Sequence, residues 1–288
     1  MKHTPLEGEA GPSQPRVGFV DSSALAGREL GRIGTLSVRL AANQEEVHAA
    51  QHVRFRVFGE TFGTRNMGIE ERDADRFDEI CDHLLVMDDA LPGRDHDRIV
   101  GTYRLLRQDR AASVGGFYSS AMFDVDGMVA RHPGVSFLEV GRSCVLPQYR
   151  TKRTIDTLWL GIWAYIRHYE IAVLTGCASF AGTDPAAHAT ALSFLAHHCS
   201  PETEWRVDAL PDRAFNMDLL PRGSYSTRAA IASMPPLIKG YLRLGAQFGR
   251  GCVIDREMGT VVVLVVLPIE NLAERYVRHY TAREQPRS

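Results

Sequence analysis

The sequence predicts an α/β (α+β) chain with a mixed, mostly antiparallel sheet and helices on both faces. Three observations carry this. Short runs rich in β-branched residues alternate with helical stretches along the chain. One of those stretches, 154–168, repeats Ile155, Leu158, Trp159, Ile162, Trp163 and Ile166 on a single helical face. No G-x-G-x-x-G or P-loop follows any strand, so a doubly wound nucleotide-binding sheet is not indicated.

In order, residues 1–34 are rich in Gly, Pro, Ser and Glu and poor in large apolar residues, and read as a disordered tail. The single folded domain is expected over 35–280, with a flexible tail at 281–288. It opens with a strand at 35–42 and a helix from 43 or 44 to 58. An irregular acidic stretch, 59–82, leads to strands at 83–87 and 99–106 with a turn at Ala90-Leu91-Pro92-Gly93. A short helix at 117–123 precedes a long strand, 135–146, stopped by Pro147. After the 154–168 helix come a strand at 172–177 and a helix to His197, capped by Thr183 or Asp184 with Pro185 at its first position. A helix at 235–248, strands at 251–254 and 260–267, and a helix at 269–279 complete the order.

The 288 residues carry a formal net charge of −2. That argues against a broad nucleic-acid surface, which needs a basic excess. Five scattered cysteines without a C-x-x-C read as free thiols in a reducing compartment, not as a disulfide framework or zinc site. Residues 1–15 lack an apolar signal core. The longest apolar run, Val261 to Leu267, is far short of the roughly 20 residues that cross a bilayer. A cytoplasmic protein is expected. A contact of the helix carrying Lys239 and Arg243 with a membrane surface is second to a core role for that helix.

Charges inside apolar patterns point to a site, because an unpaired buried charge is costly. Arg54 lies between Val47 and Phe58 on the apolar face of the first helix, while Arg56 faces away. Arg104 shares a strand face with Val100 and Leu106. Glu139 and Arg142 stand three apart in the long strand, and a bulge at Gly141 would bring them to one side. In the acidic run 70–79, Asp75 and Asp78 bracket Phe77. Arg54, Arg104 and Arg142 are therefore expected to balance Asp75, Asp78 and Glu139 in a network able to exchange partners with a zwitterionic amino acid.

Four elements in order, Arg54-x-x-x-Phe58, Asp75-x-x-Asp78, Gly101-x-x-Arg104-Leu105 and Glu139-x-x-Arg142, resemble acyl-homoserine-lactone synthases and their relatives in the GNAT acyltransferase superfamily. Later segments resemble the ornithine–acyl carrier protein N-acyltransferases: Cys144 to Arg150, Leu158 to Trp163, Gly176 to Phe180, Gly182 to Pro185 and Pro235 to Ala246. The resemblance implies a GNAT-like fold. It implies transfer of a 3-hydroxyacyl chain from acyl carrier protein to ornithine, the first step toward bacterial ornithine lipids. No cofactor is implied beyond the phosphopantetheine that the carrier protein brings. The loop Arg150-Thr151-Lys152-Arg153 has no glycine with which to cradle a CoA pyrophosphate and suits an acidic carrier protein, so Val145, Arg150, Lys152 and Arg153 are the donor candidates. Relatives often carry an Asp in the strand that here reads Gly259-Thr260-Val261-Val262-Val263.

Aminolysis of a thioester needs proximity, proton removal and an oxyanion donor, and no side-chain nucleophile. Glu139 is the candidate base, directly or through water, and backbone N–H groups from Ser143 to Val145 are the candidate oxyanion donors. Arg54, Arg104 and Arg142 would hold the acceptor carboxylate or Glu139, Asp75 and Asp78 its distal ammonium, and Phe58 would wall the pocket. No motif activates Cys144, and His188, His197 and His198 do not form a zinc pattern. Two other readings stay open: an acyl-homoserine-lactone synthase, and an idle GNAT-like domain that binds lipid or carrier protein.

Overall fold

The computed structural model describes residues 22–62, 71–201, 203–272, 276–278 and 280–281. Among the described residues ten strands form one sheet in the order β1 (Glu29–Ile33), β2 (Leu36–Leu40), β3 (Asp82–Asp88), β4 (Ile99–Arg107), β5 (Phe137–Val145), β6 (Val173–Ala181), β10 (Thr260–Pro268), β9 (Cys252–Asp255) and β7 (Ala214–Phe215), with β8 (Gln247–Phe248) also paired to β10. Every pairing is antiparallel except β5 with β6. The strands that position the site are β2 (Leu36–Leu40), β3 (Asp82–Asp88), β4 (Ile99–Arg107), β5 (Phe137–Val145), β6 (Val173–Ala181) and β10 (Thr260–Pro268).

Helix α1 (Gln44–Phe62) packs on β3, β4 and β5, the short helices α2 (Gln108–Ala111) and α3 (Val125–Ala130) follow β4, and α4 (Lys152–His168) packs on β1 to β4. Helices α1 and α4 both cover β3 and β4, so they lie on opposite faces of the sheet. The sequence of β3 agrees: Leu84, Leu85, Val86 and Met87 are all buried, a continuous apolar run of the kind a sheet covered on both sides requires. In β10 the odd residues Val261, Val263, Val265 and Leu267 join the core shared with α4. The even residues Val262, Leu264 and Val266 join a second core under residues 117–128.

Several boundaries differ from the sequence reading. The ordered chain starts before residue 35: β1 (Glu29–Ile33) forms a hairpin with β2, and Gly34 supplies the positive φ of its turn. Residues 1–21 and 282–288 lie outside the described residues, as does part of the expected last helix. The short helix expected at 117–123 is a 3-10 turn, Tyr118–Ala121. Helix α7 (Pro236–Leu244) ends early because Gly245 takes φ 96° as a left-handed cap, and Gln247–Phe248 becomes β8.

Two features of the central strands make the site. First, Tyr103 of β4 stands opposite both Arg142 and Ser143 of β5, a β-bulge, with Arg142 at φ 51°. A non-glycine residue held there is strained and needs its surroundings to fix it. Second, β5 and β6 pair only at Phe137–Val173, Leu138–Leu174 and Glu139–Thr175. Beyond that point β6 continues with β10 along all nine of its residues, and the flank of β5 is left open. Gly176 is where the strands part. A Cβ there would sit 2.2 Å from the carbonyl oxygen of Val140. Gly176→Ala is therefore expected to lower the thermal midpoint sharply. Gly240→Ala, where a Cβ meets nothing within 4 Å, is expected to raise stability by up to about 1 kcal/mol. Equal midpoints for the two variants would refute the close approach.

Candidate active site

Six charged side chains meet where α1 crosses β4 and β5. Arg54, fully buried on α1, donates from Nε to Asp73 Oδ2 at 2.8 Å and from Nη1 and Nη2 to the two carboxylate oxygens of Asp78, each at 2.8 Å. Its Nη2 also donates to the carbonyl of Asp73. Arg104 on β4 donates to Asp75 Oδ1 at 2.7 Å and Asp78 Oδ1 at 3.3 Å. Arg142 on the bulge donates from Nε to Asp73 and from Nη2 to Asp75, both at 3.1 Å. The loop is itself tied down, since the Asp75 N–H donates to Asp78 and the Phe77 N–H to Asp75.

The expected cations are thus all present, and Asp75 and Asp78 are with them. The third anion is Asp73, not Glu139. Within the run 70–79 the sequence marked Asp75 and Asp78, which bracket Phe77, but nothing in residue type set Asp73 apart from its neighbours. The available signal was the spacing Asp73-x-Asp75-x-x-Asp78 around the buried Phe77, which turns three carboxylates toward one side of a tight loop.

Glu139 is buried, and its partners are backbone groups. Oε2 accepts from the Tyr118 N–H at 2.7 Å and Oε1 from the Ser119 N–H at 2.9 Å. The 3-10 turn at 118–121 therefore holds the carboxylate, a role with no signal in the sequence. Tyr118 also presents its ring to both arginines, with the Arg142 guanidinium 5.0 Å and that of Arg104 5.6 Å from its centroid. The Phe58 ring lies 6.0 Å from Arg142. The expected bulge lies at Arg142 and Ser143, not at Gly141, which pairs in register with Arg104; it brings Glu139 and Arg142 to the same side, against Tyr118.

The electrostatics separate two kinds of carboxylate. Burial pushes Asp78 up, but the hydrogen bond and charge of Arg54, with the charge of Arg104, outweigh it and hold Asp78 well below the usual carboxylate range. Burial also pushes Glu139 up. The Ser119 hydroxyl, the two N–H groups and Arg104 offset this only in part, so its pKa stays raised. Asp78 is a fixed counter-ion, whereas Glu139 can take a proton under milder conditions. The network reaches solvent at one edge: the side chains of Asp75 and Arg142 are 24% and 14% exposed, those of Arg54, Arg104, Asp73 and Asp78 5% or less.

On the open flank of β5, the Leu146 N–H donates to Val100 O at 2.9 Å on the β4 side. Strand alternation then turns the N–H of Val145 toward the flank that β6 leaves open. Arg150 Nε caps the Val145 carbonyl at 3.2 Å. Ser143 is half-buried and hydrogen-bonds Tyr103, whose hydroxyl is 2.6 Å from that of Tyr241. Lys152 is largely exposed and bonds Asp156 at 2.5 Å. The side chain of Arg153 lies beside Gly34 and Asp88, so it is not brought to the open flank with Val145 and Arg150. Asp255, at the end of β9 (Cys252–Asp255), pairs with Thr260, and its charge acts on Tyr118 and on Cys177 of β6. The strand expected to carry an acid thus has one on its neighbour. Burial pushes the Cys144 thiol far up, which removes it as a nucleophile.

Comparison with known proteins decides the family. The chain is 54% identical over 253 residues to the L-ornithine N(alpha)-acyltransferase of Agrobacterium fabrum, covering 87% of this chain and 86% of that protein. The chain belongs to the L-ornithine Nα-acyltransferase family. The proteins of the same name from Brucella abortus and Rhizobium meliloti are 53% and 48% identical, covering 88% and 92% of this chain and 91% and 94% of their own lengths. Residues 53–160 match the acetyltransferase (GNAT) domain, the stretch that holds the second half of α1 with Arg54, the acidic loop, the bulge and the first half of α4. Among solved structures, FeeM, an N-acyl amino acid synthase from uncultured soil microbes, aligns over 86% of this chain and 94% of its own, with a TM-score of 0.48 at 11% identity. Membership in this family agrees with the resemblance drawn from the segments Cys144 to Arg150, Leu158 to Trp163, Gly176 to Phe180, Gly182 to Pro185 and Pro235 to Ala246, and the GNAT match with that drawn from the Arg54, Asp75, Arg104 and Glu139 motifs.

Proposed function

We propose that the protein transfers a fatty acyl group from the phosphopantetheine thioester of acyl carrier protein to the α-amino group of L-ornithine. The observation that supports this most is the edge of the network at Asp75 and Arg142. A cation and an anion that already face each other there open beside Glu139 and the parted strands. A zwitterionic amino acid can bind by exchange, its carboxylate on Arg142 and its side-chain ammonium on Asp75. Arg54, Arg104, Asp73 and Asp78 stay paired and keep the edge in place.

The donor thioester enters along the open flank of β5. The acceptor ammonium gives up a proton to Glu139, directly or through water, and the free amine attacks the thioester carbon. The oxyanion formed there accepts from the N–H of Val145, with Ser143 beside it. The attack forms the C–N bond; collapse restores the C=O and breaks the C–S bond, and the pantetheine thiolate leaves and takes up the second proton that the nitrogen sheds as it becomes an amide. Arg150, which caps the Val145 carbonyl on that flank, and the exposed Lys152 two residues on suit the acidic surface of a carrier protein.

The test is thiol release from 3-hydroxyacyl carrier protein by the purified chain, with ornithine or S-adenosylmethionine as acceptor. Thiol release with ornithine and an N-acylornithine product is expected. A lactone formed from S-adenosylmethionine, or carrier-protein binding without thiol release from either acceptor, would overturn the reading.

A further inference from the structure

The strap that covers α5 (Ala189–His198) has an outer face of unusual make-up. It runs from β7 (Ala214–Phe215) through α6 (Thr227–Ser233) into α7. Inward, Met217, Ala230, Met234, Ile238, Tyr241 and Leu244 join the core. Ser193 of α5 fastens the loop by accepting from the N–H groups of Leu219 and Leu220 at 3.0 and 2.9 Å. Outward, the strap carries Phe215, Leu219, Ile231 and Leu237, each 38–44% exposed. Among the described residues these are four of the five exposed large apolar side chains, so the exposure is concentrated on one part of the fold.

The charge on the same stretch is one-sided. From Phe215 to Arg243 the sequence has Arg222, Arg228, Lys239 and Arg243 and a single acid, Asp218, in a chain whose net charge is −2. Asp218 is already bonded to His197 Nε2 at 2.7 Å, and Lys239 holds the α6–α7 corner by donating to Ala232 O at 2.8 Å. Arg222, Arg228 and Arg243 are exposed and make no ion pair among the described residues.

We propose that this face, Phe215 to Arg243, docks on an anionic lipid surface. Exposed aliphatic and aromatic side chains set among cations that make no ion pair among the described residues match the boundary of a bilayer: the apolar groups enter the acyl region and the arginines meet the headgroups. An acidic protein partner would satisfy the cations but would leave the four apolar groups to find a pocket of their own. The inference does not depend on the acyl-transfer reading, because lipid binding is measured without substrate.

The experiment is co-sedimentation of the full chain with phosphatidylcholine vesicles, with and without phosphatidylglycerol. Binding is expected only to the anionic vesicles, and weaker in high salt. Each cation near such a surface is worth about 1 kcal/mol, so Arg222→Ser with Arg228→Ser should lower partitioning roughly 30-fold. Ile231→Ser with Leu237→Ser should also lower it, with circular dichroism and thermal midpoint kept in both variants. No binding to anionic vesicles, equal binding to neutral ones, or binding untouched by both variants would overturn the proposal. So would carrier-protein binding that is lost in the variants while vesicles go unbound.

Discussion

Arg54→Met is expected to cost about 3–5 kcal/mol of stability, a large part of the roughly 5–15 kcal/mol that a folded domain has in total. Arg54 has no exposed surface and supplies the hydrogen bonds of two buried carboxylates, Asp73 and Asp78. Methionine fills similar volume but leaves both anions in the interior, with Arg104 and Arg142 shared among three acids. Arg142→Met removes a cation of the same network at its solvent edge, where water can reach the freed carboxylate, so a smaller loss is expected there. Denaturant unfolding of the two variants measures this. The pH dependence gives an independent check. Asp78 is depressed in the folded protein, so its contribution is present above the ordinary Asp pKa of about 4 and is lost as pH falls toward the folded value. Without Arg54 only the Arg104 charge and the Asp75 N–H oppose the effect of burial on Asp78, and the deficit of the variant should shrink as pH drops below that point. A deficit constant down to acid pH, or no deficit at all, would sink this account of Arg54.

The sequence made the sheet legible where burial was continuous or periodic: Val261 to Leu267, the face of α4, and the run Leu84 to Met87. It also showed three arginines inside apolar patterns, because a charge in such a place has few explanations. It did not show which acid each arginine would meet. Pairing is decided by how a loop folds over a strand, and residues 71–81 carry too little apolar pattern to reveal that. Glu139 stood out as buried, but its partners are the N–H groups of Tyr118 and Ser119, and backbone donors have no sequence signature. Hairpin β1–β2 was hidden for a similar reason: only Leu30 and Ile33 mark β1 as apolar, and its support comes from α4, far along the chain. The outer face of the strap over α5 was legible only in part: the cations Lys239 and Arg243 raised a membrane contact as second to a core role, and the pattern of α7 shows that one side is apolar but not that Leu237 is left uncovered.

Glu139→Gln is expected to lower the rate of amide formation by about 10²- to 10⁴-fold while the chain stays folded. Two effects on stability oppose each other. The amide oxygen keeps one of the two N–H donors, while the other meets an NH₂ group, which costs about 1–3 kcal/mol. Against this, the ionised carboxylate is itself a burden in the folded state. Its folded pKa is raised by burial, so stability declines as pH rises from the unfolded pKa through the folded one, and an uncharged Gln escapes that decline. The net change in unfolding free energy near neutral pH should therefore be small beside the loss in rate. A purely structural Glu139 predicts the reverse proportion. The pH profile separates the cases further. In the parent chain kcat/KM should rise with pH through the raised Glu139 pKa, because only the ionised form accepts the proton of the acceptor ammonium. In Glu139→Gln that limb should vanish, leaving only the titration of the amine itself. An unchanged acid limb in the Gln variant would mean that Glu139 positions Tyr118 and Ser119 and takes no proton, and the base would then have to be sought at the solvent edge of the network, where Asp75 is the exposed carboxylate.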